Sequence, residues 1–155
     1  MVVAGLLAGY SPTSPGQQFR PPLYENDPRL LILREFFEER ESPIGHLAKE
    51  FLLAADRHDL DWRLLPAIAV VESGGGKQYR HNNLFGWDNG EGQFGSLKEG
   101  IHHVAERLAT SNLYRDKDLD ELLRTYNPYV NYPLRVKYVM TRICRTPWAP
   151  TRCLN

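Results

Sequence analysis

Apolar and polar positions alternate with a helical period over most of the middle of the chain. Ile44, Leu47, Ala48, Phe51, Leu52 and Ala55 fall at i, i+3, i+4, i+7, i+8 and i+11, the spacing of one face of an amphipathic helix. Ser42-Pro43 opens that run and His58 closes it. Asp27-Pro28 is a start signal of the same kind, a capping residue followed by proline at the first helical position. It predicts a helix to about Glu39 with Leu30, Leu33, Phe36 and Phe37 inward. Ser96-Leu97-Lys98-Glu99 is a capping-box pattern and opens a helix with Leu97, Ile101, Val104, Ala105 and Leu108 on one face. Asp118 to Arg124 predicts a shorter helix bearing Leu119, Leu122 and Leu123, broken by Tyr126-Asn127-Pro128-Tyr129. Pro133 starts a last helix, with Val136, Val139, Met140 and Ile143 inward.

One segment breaks the amphipathic pattern. Asp61 is placed to cap a helix from Trp62 to about Ser73, with Pro66 near its first turn, where a missing N–H is tolerated. Leu64, Leu65, Ile68, Ala69, Val70 and Val71 leave it almost no polar face, and a helix that is apolar all round is buried. It ends on one acid, Glu72, followed by Gly74-Gly75-Gly76, a run suited to a C-cap and to close backbone approach. Leu84 to Phe94 predicts a small β-hairpin, with Asn89-Gly90 as its two-residue turn. The expected fold class is mainly α, strictly α+β, with about six helices and one small hairpin.

Composition narrows the partners. The 155 residues suit one domain, and 42% of them are hydrophobic and 25% charged. Lys and Arg total 19 and Asp and Glu total 19, so the chain is neutral and has no basic stripe for nucleic acid. No apolar stretch is long enough for a transmembrane helix. Residues 1–26 read as a tail: Val2 to Gly9 is apolar but lacks a basic n-region, and Ser11-Pro12-Thr13-Ser14-Pro15-Gly16 and Pro21-Pro22 favour an extended linker. It is either a flexible tail or the remnant of an export signal. The domain proper is expected over 27–145, and 146–155 as a C-terminal tail. The two cysteines, Cys144 and Cys153, either staple that tail to the last helix in an oxidising compartment or remain free thiols.

Glu72 is the candidate for chemistry. A carboxyl at the end of a buried helix, beside permissive backbone and aromatics, lies in a setting that disfavours the charged form. Protonating a leaving glycosidic oxygen near neutral pH requires such an acid. The competing reading is a solvated residue at a helix C-terminus, or one paired with Lys77 or Arg80. His46 lies beside an apolar stripe and reads as structural. His102 and His103 are adjacent, so they face different directions and do not make the pair a zinc site needs. No metal or cofactor is expected.

Val70-Val71-Glu72-Ser73-Gly74 together with Asn82-Asn83-Leu84-Phe85-Gly86 resembles the bacterial glucosaminidase family, peptidoglycan-cleaving members of the lysozyme-like superfamily. Tyr126-Asn127-Pro128, followed by Tyr132 and Arg135-Val136, is similar to that family's closing motif. The resemblance spans roughly residues 43 to 143. It implies a lysozyme-like domain with Glu72 as general acid and Tyr126 lining the groove near the scissile bond. It implies further that Asn83, Phe85 and Trp87 form the wall that binds the N-acetyl sugar, with Tyr132 either packing or binding. Two departures fall near the acid: Gly75 stands where the family usually has an aromatic, and Gln78 where a serine commonly follows the lysine.

Neither motif fixes a second carboxylate. Asp88 and Glu91 are the candidates, on the expected hairpin. A separation of about 5 Å suits retention and about 6.5–9.5 Å inversion, whereas elimination to a 1,6-anhydro product, or assistance by the N-acetyl group, needs one acid only. The expected function is cleavage of the β-1,4 glycan strand of peptidoglycan, of N-acetylglucosaminidase type, by a monomer outside the cytoplasm. The alternatives are a lytic transglycosylase, an inert peptidoglycan-binding or assembly module, and a helical protein-interaction domain.

Overall fold

The computed structural model describes residues 24–144 and is mainly helical, with six α-helices among the described residues. Helix α1 spans Pro28–Glu38, α2 Ala48–Arg57, α3 Leu64–Ser73, α4 Leu97–Thr110, α5 Leu119–Tyr126 and α6 Tyr132–Ile143. None of these is long and apolar enough to cross a membrane.

The start of the fold lies earlier than the sequence pattern places it. Tyr24–Asn26 form a 3-10 turn, and the Tyr24 ring is wholly buried. Its hydroxyl donates to Asp56 at 2.9 Å, and Arg29 bonds the same carboxylate through both terminal nitrogens. Arg29 also reaches back to Asp27, whose side chain accepts from the Arg29 N–H as the cap of α1. A tyrosine with a buried partner for its hydroxyl adds both apolar area and a satisfied polar tip, so the expected tail 1–26 gives up its last three residues to the domain. Cys153 lies outside the described residues, and with it the expected staple to Cys144.

Helix α2 begins later than Ser42-Pro43 suggests. Ser42 does not cap it: its N–H donates to the Phe37 carbonyl and its hydroxyl donates to the Gly75 carbonyl. Ile44 is then carried inward, a 3-10 turn follows at Gly45–Leu47, and the α-helix starts at Ala48. The six apolar positions of the predicted stripe are all buried. Helix α4 is capped as expected by the Ser96 hydroxyl, which accepts from the Glu99 N–H, but Glu99 reaches the Gly95 N–H instead of closing the box on Ser96. A complete capping box occurs at α5, between Asp118 and Glu121.

Helix α3 is the centre. Leu64, Leu65, Ala67, Ile68 and Ala69 are all buried, with α6 as the main packing partner and α2 beside it. Phe36, Phe37, Phe51 and Phe85 make a chain of ring contacts, with successive centroids 5.5, 5.6 and 6.4 Å apart, so α1, α2 and the segment after α3 share one core. Burying such rings stabilises by roughly 1.5–3 kcal/mol each.

The β-hairpin expected over Leu84 to Phe94 is not formed. The described residues hold no sheet, and the one antiparallel contact is an isolated bridge between Arg80 and Asn83. Asn89-Gly90 does turn the chain, with Asn89 left-handed (φ 53°), but inside a 3-10 turn at Asp88–Gly90. The reason is Asn83. Its side chain ties the backbone of Phe85, Trp87 and Gly92 together from the inside, so those groups are not free to form a strand ladder.

Candidate functional site

Glu72 is the penultimate residue of α3, one turn after the buried Ile68. The helix ends there because Gly74 turns left-handed (φ 63°), its N–H and that of Gly75 both donating to the Ala69 carbonyl. The Ser73 hydroxyl donates to the same carbonyl and accepts from the Gly76 N–H. A side chain at Gly75 would meet Ser42 Oγ at 2.7 Å, and one at Gly76 would meet Ile44 Cγ2 at 2.5 Å. The chain therefore doubles back tightly under Ser42 to Ile44, and this close passage leaves no room for an aromatic at Gly75.

The return segment then crosses in front of the acid. Asn83 is 5% exposed, and its amide has two donors and an oxygen with two lone pairs. Nδ2 donates to the Trp87 and Gly92 carbonyls at 2.9 and 3.1 Å, and Oδ1 accepts from the Phe85 and Trp87 N–H groups at 3.3 and 3.0 Å. Asn83 thus organises the loop from within. Phe85 is buried against Phe51. Of the three expected wall residues, Asn83 and Phe85 present no free binding group. Trp87 does, being half-buried and lining the groove described next.

That groove has two arms. One, of about 810 Å³, is lined by Glu72, Trp87, Asp88, His103, Arg107 and Tyr126, among others. The other, of about 430 Å³, runs past Gln78, Tyr79, Arg80 and Asn83. Glu72, Gly86 and Gly90 line both, so the carboxyl stands where the arms meet. Its Oε1 is buried and has no hydrogen-bond partner. A buried polar atom left unpaired is costly and stands out in a native fold.

Two tyrosines cover the acid from behind. Their rings are stacked, 6.0 Å between centroids and 11° between planes. The Tyr126 hydroxyl donates to the Phe85 carbonyl at 2.6 Å, which pins the Phe85-Gly86-Trp87 segment to the end of α5. The Tyr132 hydroxyl is buried facing the Glu72 carboxyl and interacts with it without closing a hydrogen bond of regular geometry. Burial first, and then the Glu72 charge, push both phenols well above their ordinary value, so both stay neutral donors. Tyr114 is likewise raised by burial, offset in part by Arg107.

Asp88 and Glu91 separate. Asp88 lines the larger arm, exposed and with a left-handed backbone (φ 55°). Glu91 is exposed and lines neither arm. On the α4 side of the larger arm the sequence had offered only His103, and that as a rejected zinc ligand; Arg107 and Ser111 were not singled out. His103 and Arg107, one turn apart on α4, line it together with Ser111, the residue that follows the helix end. The His103 ring lies 6.0 Å from Trp87 and 5.4 Å from Phe94. The signal was present as a polar stripe running beside Ile101, Val104, Ala105 and Leu108, legible only once Trp87 is known to face it.

No protein-family model and no curated protein matches the chain.

Proposed function

We propose that this chain is a lysozyme-like glycosidase that cleaves the β-1,4 glycan strand of peptidoglycan, of the N-acetylglucosaminidase type, with Glu72 as general acid. One observation carries the reading. A carboxyl with a buried, unpaired oxygen stands at the junction of two groove arms, where a strand lying along both would place an internal linkage. Protonation of the leaving oxygen needs an acid held partly out of bulk water that still borders the substrate, and Glu72 is half-buried while lining both arms. Trp87 and Tyr114 offer ring surface for a sugar in the larger arm. Tyr126 acts by positioning, since its hydroxyl is committed to the Phe85 carbonyl.

Asp88 is the carboxylate available to the opposite sugar face, because it lines the arm that Glu72 enters. It is solvent-exposed, so a mechanism with a single buried acid, by elimination or by assistance from the N-acetyl group, is the competing chemistry. Peptidoglycan as substrate places the protein outside the cytoplasm.

The test is Glu72→Gln assayed on purified cell walls with mass spectrometry of the products. Release of muropeptides by the native chain and their loss in the variant is the expected result. Undiminished release from the variant removes Glu72 from the mechanism, and no release from the native chain leaves the inert binding module. Reducing ends mark hydrolysis and anhydro ends mark transglycosylation.

A further inference from the structure

Helix α6 carries apolar side chains on two faces, and the fold buries only one. Tyr132, Val136, Val139, Met140 and Ile143 form the inner face and are buried in the core. On the outer face Leu134 is 64% and Tyr138 66% exposed, and Tyr129 and Val130, in the turn leading into the helix, are more exposed still. Asn131 already has near-helical backbone (φ −91°, ψ 1°), and its carbonyl accepts from the Arg135 N–H. Val130, Leu134 and Tyr138 therefore follow one another about a turn apart. Four of the seven large apolar side chains that stand exposed among the described residues fall in this one stretch, so it is a patch and not scatter. Thr141, next on that face, spends its hydroxyl on the Lys137 and Tyr138 carbonyls.

Charge is sorted along the chain toward the same end. All 19 acidic residues lie at or before Glu121, whereas Arg135, Lys137, Arg142, Arg145 and Arg152 come after it. The neutral total conceals a cationic C-terminal end. Lys137 is held by Asp120 at 2.8 Å, and Arg135 and Arg142 stand exposed beside the apolar stripe. Arg40 borders the same end of α6. Burial first, and then the charge of Arg142, hold its guanidinium below its ordinary value, against the opposing pull of Glu39 and Tyr138.

We infer that the outer face of α6 docks the protein on an anionic lipid surface. Val130, Leu134 and Tyr138 enter the boundary between headgroups and acyl chains, and Arg135 and Arg142 lie at the lipid phosphates. An exposed apolar stripe flanked by arginines is the pattern of a helix that lies in a membrane interface. Tyrosine suits that boundary, one end of its ring being apolar and the other wet. A soluble polyanion would account for the arginines but leave the leucine and valine in water. A second copy would set the same face against itself and bring like charges together. The inference stands apart from the glycosidase reading, yet it bears on where the groove works. Asn127 and Pro128 line the larger arm, and Tyr129 follows at once, so docking sets that arm beside the lipid.

The experiment sediments the full chain with vesicles of phosphatidylcholine alone and of an equal mixture with phosphatidylglycerol, at low and raised salt. The native chain is expected to partition onto the mixed vesicles and not the neutral ones, more weakly as salt rises. Arg135→Gln with Arg142→Gln should weaken partition roughly twenty-five-fold, from about fivefold for each basic side chain near an anionic surface. Leu134→Ser with Tyr138→Ser should weaken it by roughly tenfold or more with the charge unchanged. Circular dichroism and thermal unfolding check that both variants fold, and Val130→Ser, outside the helix, replaces the serine pair if that one does not. No partition of the native chain onto the mixed vesicles overturns the inference, as does equal partition onto the neutral ones. Partition that the folded serine variant retains in full, with matching affinity for soluble polyglutamate, overturns it in favour of a polyanion. A dimer in analytical ultracentrifugation that the serine variant abolishes, without vesicle binding, overturns it in favour of a second copy.

Discussion

Gly86 packs directly on the carboxyl of Glu72: a Cβ added at Gly86 would fall 2.8 Å from Glu72 Oε2. Gly86 also has φ +59°, a conformation that a side chain strains. The two facts have one origin, the loop being drawn tight across the end of α3 by Asn83 and Tyr126. Gly86→Ala is therefore expected to lower stability by about 1–2 kcal/mol and to displace the acid as well. Loss of cell-wall cleavage should exceed the loss of folded protein at the assay temperature. Thermal denaturation and activity measured on the same preparation check this, and an active, equally stable Gly86→Ala variant contradicts it.

The two stacked tyrosines respond differently to loss of their hydroxyls. Tyr126→Phe strands the Phe85 carbonyl, a bond of 2.6 Å in a poorly solvated place, and is expected to destabilise by about 1–2 kcal/mol. Tyr132→Phe removes a buried hydroxyl that interacts with the Glu72 carboxyl without a hydrogen bond of regular geometry, so the loss should be the smaller one, within about 0.5 kcal/mol. Urea denaturation of the two variants side by side separates them. Equal losses would mean that the Tyr132 hydroxyl closes a regular hydrogen bond in solution.

The helices were legible in the sequence where one signal decided the outcome. The α2 stripe needs only a 3.6-residue period, so its six positions are buried as read although the α-helix itself starts late, and Asp27-Pro28 needs only a cap and a fixed φ, so α1 starts as read. The hairpin failed because Asn89-Gly90 reports a local turn, whereas strand pairing depends on what else claims the backbone, and Asn83 claims it from four and nine residues away. Glu72 was legible as an oddity on an apolar helix. Its groove was not, since Arg107, Ser111 and Tyr114 come together with Trp87 only through the packing of α4 against α2. Asn83 illustrates the limit of a motif: its position in the loop was visible, but not that its side chain faces inward.

Asn83 is the most demanding single side chain of the site region, because all four of its hydrogen-bonding positions are filled by loop backbone. Asn83→Ala leaves two carbonyls and two N–H groups to find water in a place 5% exposed. A loss of about 2–4 kcal/mol is expected. Asn83→Asp should be at least as damaging, since an ionised oxygen would face the Trp87 and Gly92 carbonyls where an N–H₂ now donates. Chemical denaturation checks both, and an Asp variant as stable as the native chain would show that the amide's donors are dispensable.

Acid should unfold the protein in two stages, and the direction follows from the groups involved. Burial holds the His58 imidazole below its ordinary value, despite some opposing pull from Glu106. A histidine depressed in the fold takes up its proton more readily unfolded, so stability begins to fall as pH drops through about 6.5. Burial raises Asp27, Asp61 and Glu50, but it is outweighed by Arg29, by Arg63, and by Lys98 with His102, so all three carboxyls lie below their ordinary values. Depressed carboxyls stabilise fully above their unfolded values and lose that contribution as pH falls through the folded ones, so the steeper loss starts below about pH 5. Urea denaturation between pH 7 and pH 3 should show a shallow slope followed by a steep one. His58→Gln is expected to remove the first. Asp27→Asn should lower stability at pH 7 and flatten the second, because the asparagine cannot ion-pair with Arg29 at any pH. A steep limb unchanged in Asp27→Asn would place the acid sensitivity in the other carboxyls.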